Sequence, residues 1–347
     1  MKKSILLLTT LASIFLLSCS NNTNTSSNTD SNELNVYTHR HYESDQDLFK
    51  LFEEKSGIKV NVINASADEL IQKMIMEGKD SPADVLITVD AGRLVRAKTN
   101  DLLQPVDSEI LKNEIPEHLR DNDSQWFGLT KRARVIVYAK DKVASEDLST
   151  YADLATDKWK NKLLIRSSDN IYNQSLLASI IANDGKDNAK TWASGIVANM
   201  ARTPRGNDTD QVRAVAAGEG AVTVVNSYYL GRMTQSSNAE DVAASEKVGI
   251  FFPNQETSGT HINVSGAGVA KHAPNKDNAI RFIEFLISEE AQKIFAHANF
   301  EYPINKAVQP AAVLQSWGAF KEDALSLQLL GDNNKDAVII FDEVGWR

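Results

Sequence analysis

The chain has 347 residues, 42% hydrophobic and 24% charged, with a formal net charge of −9, the make-up of a globular protein with room for one large or two medium domains. The acidic balance argues against nucleic acid, whose phosphates call for basic patches. Cys19 is the only cysteine, which excludes a disulfide within the chain.

The first segment is unlike the rest. Lys2-Lys3 precede an apolar run from Ile5 to Leu17, too short for a comfortable transmembrane span and placed where a secretory signal sits. It ends in Leu16-Leu17-Ser18-Cys19, which resembles the bacterial lipoprotein signal, in which the cysteine is lipidated and becomes the new amino terminus. An ordinary signal peptide with a chance cysteine is the alternative. Residues 1–18 are therefore expected to be removed, taking two lysines with them and leaving a more acidic mature chain. Residues 19–32 read as a tether. From Ser20 to Asn32 only Ser, Asn, Thr and Asp occur, so nothing there can bury apolar area. Such a coil spans on the order of 20 Å.

Beyond the tether, Leu34–Thr38 reads as a strand and His39–Tyr42 as a loop. Ser44 can cap a helix whose apolar positions Leu48, Leu51 and Phe52 share a face and which Gly57 ends. Ile58–Val62 alternates as a second strand, 68–78 is helical, and Ala83–Val89 is a nearly continuous apolar strand expected to be buried on both faces. This is the grammar of a parallel α/β sheet. Arg134–Tyr138 is a further extended run. The pattern then restarts with strand Leu163–Ile165, helices over 174–182, 187–200 and 208–217, strand Val222–Val225, extended run Val248–Phe252 ending in Pro253, strand 262–270 and a long helical stretch over 275–298. The spacing predicts an α/β, two-lobed body with a two-strand hinge whose crossings lie near 130–138 and 246–253. The first lobe takes 33–130 and 253–347, the second 131–252.

The tyrosines suggest the chemistry. Of eight, Tyr42, Tyr172 and the pair Tyr228-Tyr229 each fall just after a predicted strand and near the start of a helix, where side chains of an open α/β sheet face the ligand crevice. Alone, the pair also reads as two amphipathic rings with their hydroxyls in water. Four phenols from two lobes are odd for a sugar or amino-acid site and fit a hard, highly charged cation, which selects oxygen donors. A phenol is neutral at physiological pH, so a trivalent ion must displace its proton and binding should weaken in acid.

His41-Tyr42 after a Val-Tyr strand, Ser167-Ser168-Asp169-Asn170-Ile171-Tyr172-Asn173-Gln174-Ser175-Leu176, Asn226-Ser227-Tyr228-Tyr229-Leu230-Gly231-Arg232 and the terminal Gly345-Trp346-Arg347 together resemble the periplasmic ferric-ion-binding proteins of ABC-type iron importers. The resemblance covers the chain from about Leu34 onward. It implies the type II periplasmic-binding-protein fold, Fe(III) as transported ligand, and an ABC-type permease and ATPase as partners. It implies metal ligands at Tyr42, Tyr172, Tyr228 and Tyr229, with His41 as a fifth ligand or an outer donor. Arg132 and Arg232 are candidates for balancing the phenolates or holding a small synergistic anion, or for surface ion pairs. The protein is expected to be exported to the periplasm or cell-envelope surface, lipid-anchored at Cys19, and monomeric.

His39 reads as a bystander, and His118, His261, His272 and His297 as surface or loop residues without metal-ligand spacing. Ser265-Gly266-Ala267-Gly268 reads as close backbone packing. A bilobed carrier of an organic or anionic solute, such as a polyamine or phosphonate, is the competing reading. An enzyme is not expected, because no nucleophile–base pair and no Gly-x-Ser-x-Gly elbow is visible.

Overall fold

Among the described residues nine strands are interspersed with helices, and one long strand belongs to both halves. The computed structural model describes residues 32–40 and 42–347; the signal, the tether, Cys19 and His41 lie outside the described residues. The strands are β1 (Glu33–Thr38), β2 (Lys59–Asn64), β3 (Val85–Val89), β4 (Phe127–Ala139), β5 (Leu163–Leu164), β6 (Val222–Asn226), β7 (Val248–Phe251), β8 (Ile262–Val269) and β9 (Tyr302–Pro303). They run in the order β2-β1-β3-β8-β4-β6-β5, with β7 and β9 also on β4. β2, β1 and β3 are parallel, as the strand–helix alternation requires. β8 enters antiparallel to both β3 and β4. Every residue of β3 is buried. Among the described residues no helix is long and apolar enough to cross a membrane.

The thirteen residues of β4 make the forward crossing. Phe127 to Ala133 pair with β8, and Arg134 to Ala139 pair with β6 and β7. The handover falls at Ala133/Arg134, inside one continuous ladder. The return crossing lies later than the expected 246–253. β7 is still paired with β4 in the second half, Pro253 cannot extend a ladder, and the chain turns through 252–261 before β8. His261, expected as a surface or loop residue, closes that loop segment and is buried, because it packs at the crossing with its carbonyl accepting from the Arg134 amide at 2.9 Å.

Local signals decide most helix ends. Ser66 and Glu69 exchange side-chain and backbone hydrogen bonds at the start of helix Ala67–Glu77. Helix Glu43–Ser56 starts two residues earlier than expected: Tyr42 precedes it, its amide donating to Asp45 Oδ2, while Ser44 sits inside the helix and donates to Asn299 Oδ1 at 3.0 Å. The long helix expected over 275–298 is two, Lys276–Leu286 and Glu289–Asn299. Ser288 breaks it by accepting from the Ala291 amide, followed by Glu289 and Glu290 in the first turn, an N-terminal signature hidden inside a continuous apolar period.

One segment departs from the expected lobe division. Helix Asn334–Val344 and Trp346 pack with Trp192, Leu177 and Ile196 in the core of the second half, so 334–347 leaves the first lobe to which 253–347 was assigned. Trp346 is 1% exposed and its Nε1 donates to the Arg166 carbonyl at 3.0 Å.

Candidate functional site

Each phenol is placed at the start of a helix. Tyr42 immediately precedes helix Glu43–Ser56, Tyr172 is the second residue of helix Ile171–Asp184, and Tyr228 and Tyr229 lie in the first turn of helix Ser227–Thr234, directly after β6. Helix starts present unpaired N–H groups and the positive end of the macrodipole, a field that favours negative charge at the neighbouring oxygens.

The motif residues around the tyrosines hold the loops. Asn170 accepts from the Tyr172 amide at 3.1 Å. Asn173 donates to the carbonyls of Arg166 and Ser167 and accepts from Arg134 Nη2 at 2.8 Å, and Gln174 donates to the Ser168 carbonyl at 3.0 Å. Ser227 accepts from the Ala133 amide at 3.2 Å, tying the tyrosine-bearing helix to the crossing point of β4. Gly231 lets that helix sit against Phe300: a Cβ there would lie 2.9 Å from the Phe300 Cβ. Phe300 itself adopts φ 57°, a left-handed conformation unusual for an aromatic residue, and it precedes Glu301.

The four rings meet at one cavity of about 500 Å³ between the halves, lined by Tyr42, Tyr172, Tyr228 and Tyr229 together with His39, Arg166 and Arg232. The hydroxyls of Tyr172 and Tyr228 are 3.3 Å apart. The rings of Tyr228 and Tyr229 stack with centroids 4.3 Å apart. The remaining tyrosines are elsewhere: Tyr37 donates to Glu77, and Tyr151 to the Arg134 carbonyl. Across the cleft, Ser175, one turn beyond Tyr172, donates to both carboxylate oxygens of Asp90 at 2.8 Å. Asn263 of β8 donates to the same carboxylate, so the two halves share a buried polar contact next to the site.

Burial pushes all four phenols up. Tyr172 is raised to about 12 by burial, with Tyr229 beside it adding to the shift. Tyr228 is raised well above the ordinary phenol value, by burial first and then by Tyr172, Tyr42 and Tyr229. Tyr42 is raised by burial and by Glu301, against the opposing pull of Arg40. Tyr229 is raised by burial and by Asp208. The phenols are therefore neutral at physiological pH, and each resists ionisation partly because the others are close.

Guanidinium groups surround the rings. Arg40 lies 4.9 Å and Arg232 5.5 Å from the Tyr42 ring centroid, Arg132 6.0 Å from that of Tyr228, and Arg134 5.9 Å from that of Tyr172. The two arginines singled out by sequence have different environments. Arg232 lines the cavity and is exposed. Arg132 is 2% exposed and pairs at 3.2 Å with Glu301, which also pairs with Arg40 at 3.1 Å. Arg132 is thus in a buried ion pair, with its Nε and Nη1 lacking hydrogen-bond partners among the described residues. Sequence reasoning missed Arg40, Glu301, Arg134 and Asp208. Arg40 adjoins the His41-Tyr42 motif and could have been suspected; Glu301 carries no local signal.

His39 borders the cavity, with Nδ1 3.3 Å from the Ala65 carbonyl. Among the described residues no group of three or more His, Cys, Asp and Glu side chains is placed to hold a metal ion, so the phenols are the distinctive donors of this cleft.

Residues 47–322 match the family of bacterial extracellular solute-binding proteins. The chain belongs to that family. Several relatives of this solute-binding protein are named for iron. It is 51% identical over 315 residues to iron uptake protein A1 of Synechocystis, covering 91% of this chain and 88% of that one. A Trichodesmium protein solved in complex with iron and citrate ligands is 53% identical, with a TM-score of 0.89 over 91% of this chain and all of that one. The ferric binding protein of Campylobacter jejuni is 46% identical, with a TM-score of 0.86 over 90% of this chain and all of that one. The solute-binding protein shares their two-lobed fold.

Proposed function

We propose that this solute-binding protein captures Fe(III) through the phenolates of Tyr42, Tyr172, Tyr228 and Tyr229 and delivers it to an ABC-type permease with its ATPase. The observation that carries this reading is the 3.3 Å separation of the Tyr172 and Tyr228 oxygens at a cavity that Tyr42 and Tyr229 also line. Two oxygens bound to one ion at about 2.1 Å lie no more than about 4 Å apart. Tyr42 comes from the first half and the other three from the second, so the ion would join the halves and hinge opening would release it. The cavity is larger than an ion requires. His41 beside Tyr42, or a small anion met by Arg232, is the proposed completion of the coordination. The protein acts as a carrier and not as an enzyme.

The test is metal loading. After exposure to Fe(III) and desalting at neutral pH, the protein should hold about one iron and show a broad visible phenolate-to-iron band. A colourless, iron-free product overturns the assignment.

The pH dependence follows from the raised phenols. In the free protein they are protonated, and every ligand phenolate must shed a proton on binding. Acid therefore favours the free form, and apparent affinity should fall by about tenfold per pH unit for each phenol that ionises. Chelator competition between neutral and mildly acid pH measures the slope, and a pH-independent constant would rule out phenolate coordination.

Export and lipidation at Cys19 complete the reading, with a monomer on the outer side of the membrane. Cys19→Ala should move the protein from the membrane pellet to the soluble fraction on cell fractionation. Continued membrane association would reject the lipid as the anchor.

A further inference from the structure

A second cavity, about 540 Å³, lies away from the phenols where the return crossing meets the second half. Its walls include the aromatic and aliphatic side chains of Tyr151, Trp192 and Ile180, all buried. Tyr151 is fixed there: its amide donates to Asn254 Oδ1 at 2.9 Å, its carbonyl accepts from Trp192 Nε1 at 2.7 Å, and its hydroxyl donates to the Arg134 carbonyl. The cavity is thus a built feature of the hinge, not a gap between loose loops.

The polar lining is unusual. Asp184 and Asp323 both border the cavity, and no lysine or arginine does. Asp323 is 7% exposed. Its oxygens accept from Asn183 Nδ2 at 2.7 Å and the Leu325 amide at 3.0 Å. No cation pairs with either carboxylate among the described residues. Burial raises the Asp323 carboxyl above its ordinary value, against its Asn183 and Leu325 hydrogen bonds and the neighbouring His118 ring, and an incoming cation would offset that cost. His261 is 4% exposed and lines the same cavity, and its ring makes no hydrogen bond to any described residue. Burial and the nearby Arg134 guanidinium hold it well below the ordinary imidazole range, to about 3, so the ring is neutral and one nitrogen is free to accept.

We propose that this hinge cavity binds a small organic amine, with its ammonium group on Asp323 and the His261 ring and its apolar body between Tyr151 and Trp192. The charge of the lining selects a cation, the aromatic walls favour one, and the dimensions are those of a small-molecule site. The cavity is separate from the cleft and shares no lining residue with it.

Phenethylamine, with phenethyl alcohol as its uncharged counterpart, tests this by calorimetry on the mature protein at neutral pH. The amine should bind with a dissociation constant below about 1 mM, and the alcohol at least about tenfold more weakly. Asp323→Asn should weaken amine binding by about tenfold or more. Because that buried position bears on folding, Thr191→Trp provides a second arm: Thr191 is exposed on the rim of the cavity, and the larger side chain should block the amine while thermal stability and the iron-dependent visible band are kept. No amine binding up to about 10 mM, equal binding of amine and alcohol, or amine binding unchanged in Thr191→Trp would each overturn the proposal.

Discussion

Replacing Tyr228 and Tyr229 together by Phe should abolish the visible band of the iron-loaded protein and lower iron affinity by far more than the ~10–100-fold that accompanies loss of an outer-shell partner. The expectation rests on charge as much as on donor count. Two of the four phenolates that would offset a trivalent ion are removed, and among the described residues the cavity lining offers one carboxylate, the exposed Asp169. The fold should survive. Both rings remain, so the 4.3 Å stacking contact is kept, and the Tyr172 hydroxyl loses only a partner at the long distance of 3.3 Å. Removing two buried hydroxyls with raised pKa values costs little where each can be replaced by apolar edge. Spectroscopy, competition against citrate and a thermal melt separate the outcomes. Lost colour with an unchanged melt supports the assignment; retained colour and affinity would place the site elsewhere.

What the sequence made legible was the part governed by local rules. A strand, a helix start and an intervening tyrosine recur at residues 42, 172 and 228–229, and strand-end geometry places such residues at a crevice. The β4 crossing was visible as an extended run joining two strand–helix units. The features that escaped are those fixed by distant parts of the chain. Glu301 lies 261 residues from Arg40 and 169 from Arg132, and nothing near it marks it as their shared counter-charge. Trp346 was recognised as part of a terminal motif, yet its burial against Trp192 and Phe341 depends on which half leaves an apolar face open. The break at Ser288 was missed because hydrophobic period outvoted a cap. His261 lies in a loop, as one of its two expected placements had it, but its burial is set by the crossing.

Glu301→Gln should destabilise the iron-free protein by about 3–5 kcal/mol, the range found when one partner of a buried ion pair is removed. Glu301 is 2% exposed and faces Arg40 at 3.1 Å and Arg132 at 3.2 Å. Burial lowers the readiness of both guanidiniums to hold a proton, but Asp45 and Glu301 for Arg40, and Glu301 for Arg132, more than reverse it. Without that carboxylate Arg40 keeps Asp45 at 3.0 Å, while Arg132 loses its only ion pair among the described residues. The same change acts in the opposite direction on the cleft. Glu301 raises the Tyr42 phenol, and it neutralises arginines that lie over the Tyr42 and Tyr228 rings. Its loss leaves more positive charge beside the developing phenolates, so iron should bind the folded variant more tightly than the unmodified protein. The variant is therefore expected to melt lower when empty and to gain more stability from iron. Chemical denaturation of both forms, with and without Fe(III), measures the two effects. Destabilisation with unchanged or weakened iron affinity would mean that Glu301 holds the scaffold without tuning the phenols. A variant as stable as the unmodified protein would show that solvent or Asp45 supplies the missing charge.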